Sequence, residues 1–418
     1  MDGKTPRAPP SAPVERGVIV NKLLRSASLL AALVLASLAG ARTPAWAQLA
    51  GTPWPMFQHD LLHTGRSPLP GPSALDLKWT YAATSWVKTQ TAVGDGVLYF
   101  GAGHHPMCAV DAATGAELWC FPDGGDANQS SPAIGQDGTI YEGARDNKVW
   151  AIDADGLEVW SFKIPLDGDV FSSPAIAPSG TIYTACGCLS AGILHAFNPG
   201  GSLKWKLKLG KGGIRNSSPA VVDEAGSRFI YIGSVDGWLR KVKDNGTGGS
   251  LEWEIRVGTA LRDSSPSVAA DGTVYIGSNT GLWAVYPNGT LRWHFVTSGV
   301  VDTTAAISLT GRIYVSSFKT GKRTLYGIDP ATASPGYHVA WTRVGAGTST
   351  SNFSQTPSAV IDGDGNVYAA IGKTVLKLTA AGVQLDDYTV GADVIALSLG
   401  DGVLYVSAKD GNLYAFGQ

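Results

Sequence analysis

The sequence predicts an all-β protein, and within that class an eight-bladed β-propeller of four-stranded antiparallel blades closed by its own N-terminal strand. Three observations carry the prediction. A short string ending in tyrosine recurs eight times, placing Tyr99, Tyr141, Tyr183, Tyr231, Tyr275, Tyr314, Tyr368 and Tyr405 at intervals of 37 to 54 residues, about 44 on average. That is the repeat length of a propeller blade. A second marker precedes most of these tyrosines (SSPAI at 130–134 and 172–176, SSPAV at 217–221, SSPSV at 264–268, TTAAI at 303–307, TPSAV at 356–360) and a tryptophan follows most of them. The 418 residues also include 53 glycines but only 16% charged side chains, so the chain is punctuated by turns and shows no sustained helical period.

Residues 26–41 carry no charge, follow Arg16, Lys22 and Arg25, and lead to Ala45-Trp46-Ala47. A basic segment, an apolar stretch of that length and a small-x-small site form a secretory signal. We therefore expect residues 1–47 to be an export signal cleaved after Ala47. A lead-in segment, 48–76, comes next. The propeller itself occupies 77–418. Within each unit the S-S-P-A-I stretch reads as the first strand and T-I-Y-x-G as the second. A turn of the Asp-Gly kind, suited to tight hairpins, leads to a third strand such as 149–153. A fourth follows, such as 158–162, bearing the tryptophan. The eighth unit ends at Gln418 with no residues for a fourth strand. Residues 77–81, Leu-Lys-Trp-Thr-Tyr, lie ahead of the first unit and should complete the last blade, removing the sheet edges that invite aggregation. In the seventh unit Asp386 stands where tryptophan is expected.

Residues 109–119, Ala-Val-Asp-Ala-Ala-Thr-Gly-Ala-Glu-Leu-Trp, resemble the A-x-D-x-x-T-G-x-x-x-W repeat of the pyrroloquinoline-quinone (PQQ) repeat propellers. Residues 54–60, Trp-Pro-Met-Phe-Gln-His-Asp, followed by Thr64-Gly65, resemble the lead-in of bacterial members. The resemblance covers 54–418 and implies the propeller fold. It implies no single function, because the family holds both quinoprotein dehydrogenases and a non-catalytic periplasmic lipoprotein of outer-membrane assembly. For a dehydrogenase it implies calcium held by Glu, Asn and Asp, an Asp base, an Arg near the quinone, a stacking Trp and often an adjacent cysteine pair. This chain has no Cys-Cys dipeptide, Cys186-Gly187-Cys188 being the nearest, and no Cys-x-x-Cys-His. No cysteine precedes Cys108 that could carry a lipid.

The periodic Trp and Tyr are read as packing, each Trp between neighbouring blades. The position three before the SSP proline should face the channel. Around the ring it holds Lys88, Gln129, Phe171, Asn216, Asp263, Asp302, Ser354 and Asp393, with Arg215 and Arg262 preceding two of them. Such a polar ring could bind a hard cation or hydrogen-bond a polar ligand; a solvated rim would look the same. Cys108 and Cys120 flank one turn on adjacent strands and could bridge, leaving Cys186 and Cys188 as a second pair in an exported protein. A metal site of Cys186, Cys188 and His195 has weak spacing. His59 and His63 lie between Pro55 and Gly65, where no helix forms, and with His104 and His105 are read as structural or surface groups. With 32 Lys and Arg against 34 Asp and Glu, no nucleic-acid footprint exists.

These observations lead to an exported, periplasmic or secreted, monomeric scaffold without a membrane span. It would bind a protein, a polar small molecule or a carbohydrate, with no cofactor. The alternative is a PQQ-dependent dehydrogenase of alcohols or sugars using Ca²⁺.

Overall fold

The computed structural model describes Met1, Gly3 and residues 49–418 except 84–85, 104, 122–128, 166–167, 188–190, 211, 262, 332–335 and 347–356. The chain divides into two units, Met1–Ala45 and Trp46–Gln418. The expected signal segment therefore lies outside the described residues, apart from Met1 and Gly3. No helix among the described residues is long and apolar enough to cross a membrane.

The second unit is the propeller. Eight four-stranded antiparallel sheets follow one another, seven in simple sequence order. The eighth contains Val394–Leu399, Leu404–Ala408 and Asn412–Phe416, and takes Leu77–Ala82 as its outermost strand. Trp79 lies opposite Ala415 and Tyr81 opposite Leu413 in that pairing, so the first strand closes the ring as expected. We number the blades from Ala92–Cys120 (one) to this closing blade (eight).

The inner strands are shorter than the S-S-P-A-I stretch suggests. In blade two only Ala133–Ile134 pairs with its neighbour. Proline has no N–H for a ladder, and the two residues before it are bonded through hydroxyls instead. The first hydroxyl stitches the blade to itself: Ser130 Oγ accepts the Gly143 N–H at 3.0 Å, Ser217 Oγ that of Gly233 at 3.0 Å, and Ser264 Oγ that of Gly277 at 2.8 Å. The second joins neighbouring blades in a belt. Gln90 N–H donates to Ser131 Oγ, Ser131 to Ser173, Ser173 to Ser218, Ser218 to Ser265, Ser265 to Thr304 and Thr304 to Ser358, all at 2.9–3.1 Å. Backbone groups that lack a ladder partner are thus satisfied around seven blades, and Ser407 Oγ donates to Thr89 O at 3.1 Å where the eighth meets the first.

The aromatic layer is the second inter-blade bond. Seven of the eight repeat tyrosines, all but Tyr368, pack on their own blade's tryptophan, as in Tyr99–Trp119 (5.9 Å between centroids) and Tyr141–Trp160 (5.8 Å), and Tyr405 on the closing strand's Trp79 (6.0 Å). The indole lies over a turn glycine of the next blade: Trp79 over Gly115, Trp119 over Gly156, Trp160 over Gly201, Trp253 over Gly289, Trp341 over Gly382. Its Nε1 donates to a carbonyl of the same turn, Ala154 for Trp119 (2.9 Å) and Pro199 for Trp160 (2.9 Å). The glycine of the T-G-x-x-x-W repeat is therefore a platform for the preceding blade's tryptophan.

Candidate functional site

An up-and-down blade puts the turns joining its first and second strands, and its third and fourth, on one face of the ring. The second-to-third turns and the links between blades lie on the other. The lead-in segment fills the channel at the first of these faces. Trp54 and Val93 exchange backbone bonds (3.2 and 2.8 Å), and Ala50 donates to Ile134 O while Pro55 O accepts from Ile134. The chain then passes Leu61 O to Val221, Leu62 O to Val268, Thr64 O to Ile307, Gly65 O to Ile361, Leu69 O to Gly363 and Pro70 O to Gly402. It is bonded to the inner strand or first turn of seven blades in succession, and Met56 packs into the apolar cluster that holds Ile176 of the remaining one, blade three. Trp54, Met56 and His63 are fully buried there. His63 Nδ1 lies 2.9 Å from Pro266 O. Burial outweighs that bond and pushes its imidazole down to about 4. His59, by contrast, sits half-buried beside Asp60; His104 lies outside the described residues.

The residues expected to face the channel lie at the other face, where the links enter each inner strand. Asn216 Nδ2 donates to Asp263 Oδ1 at 2.6 Å, joining blades four and five. Asp302 is held by Arg323, Nη1 to Oδ1 at 3.1 Å and Nη2 to Oδ2 at 3.4 Å, with both side chains buried. Asp393 Oδ2 lies 3.6 Å from Lys409 Nζ. Lys88 Nζ stands 5.1 Å over the Trp86 ring, and Gln129 is buried. Arg145 covers the Phe171 ring at 5.8 Å and reaches Asp169 at 3.7 Å. Burial raises the Asp169 carboxyl, against the pull of Arg145 and Arg215. Arg262 and Ser354 lie outside the described residues. The spacing argument missed Arg145, Asp169, Arg323 and Lys409. Two of them stand four residues after a repeat tyrosine (Tyr141 and Tyr405), which places them across from the channel position and was the signal available.

The quinone and calcium raised by the resemblance need convergent oxygen ligands and a free aromatic face, and often come with an adjacent cysteine pair. The described residues do not fit that group. The three candidate carboxylates each have a partner of their own, and no three His, Cys, Asp or Glu side chains among the described residues are placed so that they could hold a metal ion. The repeat indoles lie against glycine turns between blades. Cys108 and Cys120 face each other across adjacent strands and form a disulfide, as the spacing allowed. Cys186 is also disulfide-bonded, and Cys188 lies outside the described residues. His195 is buried and stacks on Phe197 at 6.0 Å between centroids.

No curated protein matches the chain. Among solved structures it resembles the quinohemoprotein alcohol dehydrogenase of Comamonas testosteroni (TM-score 0.67, 15% identity, 87% of this chain and 81% of that one). It also resembles the BamB protein of Moraxella catarrhalis (0.61, 15%, 82% and 100%) and a europium-containing methanol dehydrogenase (0.63, 12%, 90% and 99%). At such identities the likeness shows the fold and leaves the function open. The family model described as outer membrane protein assembly factor BamB matches residues 74–254 and 235–418. Its two matches run from just before the closing strand to the last residue, so the chain belongs to this PQQ-repeat family.

Proposed function

We propose that the chain is an exported, non-catalytic propeller that serves as a scaffold in the cell envelope, holding a protein segment or a polar ligand on a face of the ring. The observation that carries this reading is the internal pairing of the channel rim. Asp302 with Arg323, Asp393 with Lys409 and Asn216 with Asp263 give a fixed polar surface, with no assembled nucleophile, base or oxyanion donor among the described residues there. The opposite mouth is closed by the chain's own lead-in. The family described by an assembly factor supports the reading, and the apolar stretch at 26–41 supports export. The test is to add PQQ and Ca²⁺ to the purified protein and record bound quinone absorbance and dye reduction with alcohols and sugars. The scaffold reading expects neither. Saturable quinone binding with turnover would establish the dehydrogenase that the structural likeness to quinoproteins keeps as the alternative.

A further inference from the structure

On the lead-in face a cleft of about 900 Å³ opens between the lead-in and the turns of blades six and seven. Its size falls in the range of ligand pockets. It is separate from the rim described above and does not depend on which reading of the channel is right.

One wall is apolar. Ile361 forms a buried base, Pro68 lies at the edge, and Leu309 projects from the blade-six hairpin with 81% of its surface exposed. Hairpin tips are ordinarily polar. The other wall carries Asp60, Asp362 and Asp364 against one guanidinium, Arg66, and the His59 imidazole, whose Nδ1 lies 3.8 Å from Asp60 Oδ2. Asp60 accepts the N–H groups of Leu62 and Thr64, both at 3.0 Å. Burial opposes its charge, but His59 and the Thr64 bonds hold its carboxyl below the ordinary range. Asp362 is stabilised by neutral donors, the N–H groups of Asp364 (3.0 Å) and Asn366 (2.8 Å) and the Tyr368 hydroxyl (3.0 Å). These donors are neutral and bring no positive charge to the carboxylate. Arg66 Nη1 donates to Ile307 O at 3.0 Å. Asp364 is exposed at the lip. The cleft therefore combines a negative field with an aliphatic shelf.

We propose that this cleft docks a polypeptide segment that presents a lysine or arginine next to an aliphatic side chain. The cation faces Asp364 and Asp60, and the aliphatic group lies on Leu309 and Ile361. Charge complementarity selects this class over an acidic one.

The test uses fluorescence anisotropy with two labelled peptides, Gly-Lys-Leu-Lys-Gly and Gly-Glu-Leu-Glu-Gly. The basic peptide should bind saturably and the acidic one should not. Binding should weaken as salt rises and the Debye length shortens from about 10 Å at 0.1 M. Asp364→Lys should weaken it about tenfold or more, since it replaces attraction by repulsion at the lip. Leu309→Asp should weaken it through the shelf. Asp137→Lys makes the same charge change at the exposed first turn of blade two, four blades round the ring from blade six, and should leave affinity within about twofold. Thermal midpoints of all three variants confirm that they are folded. Failure of the basic peptide to saturate, equal binding of the acidic peptide, or equal effects of Asp364→Lys and Asp137→Lys would overturn the assignment.

Discussion

Alanine at two glycines with the same backbone angle separates the two jobs that turn glycines do in this ring. Gly138 and Gly156 both have φ +82°. A Cβ at Gly138 meets nothing within 4 Å, whereas one at Gly156 would lie 2.7, 2.9 and 3.0 Å from Cδ2, Cγ and Cε3 of Trp119. Gly138→Ala therefore costs only the left-handed conformation, about 1–2 kcal/mol. At Gly156 carbon atoms want about 3.5–4 Å, so the indole would have to withdraw by about 1 Å. It is held on one side by the 2.9 Å bond from its Nε1 to Ala154 O and on the other by Tyr99. Overpacking of this kind adds about 1–3 kcal/mol. Equilibrium urea unfolding of the two variants, with equal m-values, should give a difference of that size. If the two costs agree within about 0.5 kcal/mol, the repeat glycine is present for its backbone angle alone, and the Trp-on-glycine contact does not hold blades together.

Two further outcomes follow from buried polar groups. Ser218→Ala leaves the Ser173 N–H inside the belt without its acceptor and should cost about 1–3 kcal/mol by urea unfolding; below about 0.5 kcal/mol the belt would be incidental. His63 and His195 are buried and both pushed down to about 4, chiefly by burial. The unfolded chain takes up their protons near pH 6.5 while the folded one resists until about 4, so stability should fall as pH drops through that window. The loss is up to about 3 kcal/mol per histidine, and His195→Gln should remove part of the slope. A flat profile between pH 7 and 4 would contradict the burial of these rings.

The blade count, the ring closure and the Cys108–Cys120 bridge were legible because each depends on register. A period of about 44 residues fixes the strands, and the hairpin turn fixes which cysteine faces which. The belt was not legible. S-S-P looks like strand sequence, and only the neighbouring blade, some forty residues away, shows that Ser173 and Ser218 replace a ladder. The rim was half legible. The slot gave Asp302 and Asp393, but Arg323 lies on a third strand and its pairing with Asp302 follows from no repeat position. The plugging role of the lead-in was hidden for a similar reason, since partners such as Leu61 and Val221 or Gly65 and Ile361 share no pattern that a sequence displays.

The one blade that lacks its tryptophan shows what an N-terminal closure requires. A perfect repeat would place an indole from blade seven against a turn of blade eight. That is the seam where the chain must pass from the channel plug to the outer closing strand. Residues 71–76 occupy it. Leu75 is buried in the same apolar cluster as Tyr368, the tyrosine left without an indole partner. Asp386, in the tryptophan's place, accepts the Leu75 N–H at 2.7 Å. The Tyr368 hydroxyl lies 3.3 Å from Pro72 O, and Lys377 Nζ donates to the carbonyls of Pro72 (2.6 Å) and Ser73 (3.0 Å). A leucine supplies the apolar volume, and a carboxylate and an ammonium satisfy a backbone that has no strand partner there. Restoring the repeat with Asp386→Trp should therefore destabilise the protein: the indole would compete with Leu75 for one space and remove the acceptor for its N–H, about 1–3 kcal/mol for the orphaned donor alone. A stabilised Asp386→Trp variant in urea unfolding would mean that the seam tolerates both, and that the aspartate is not there to admit the chain.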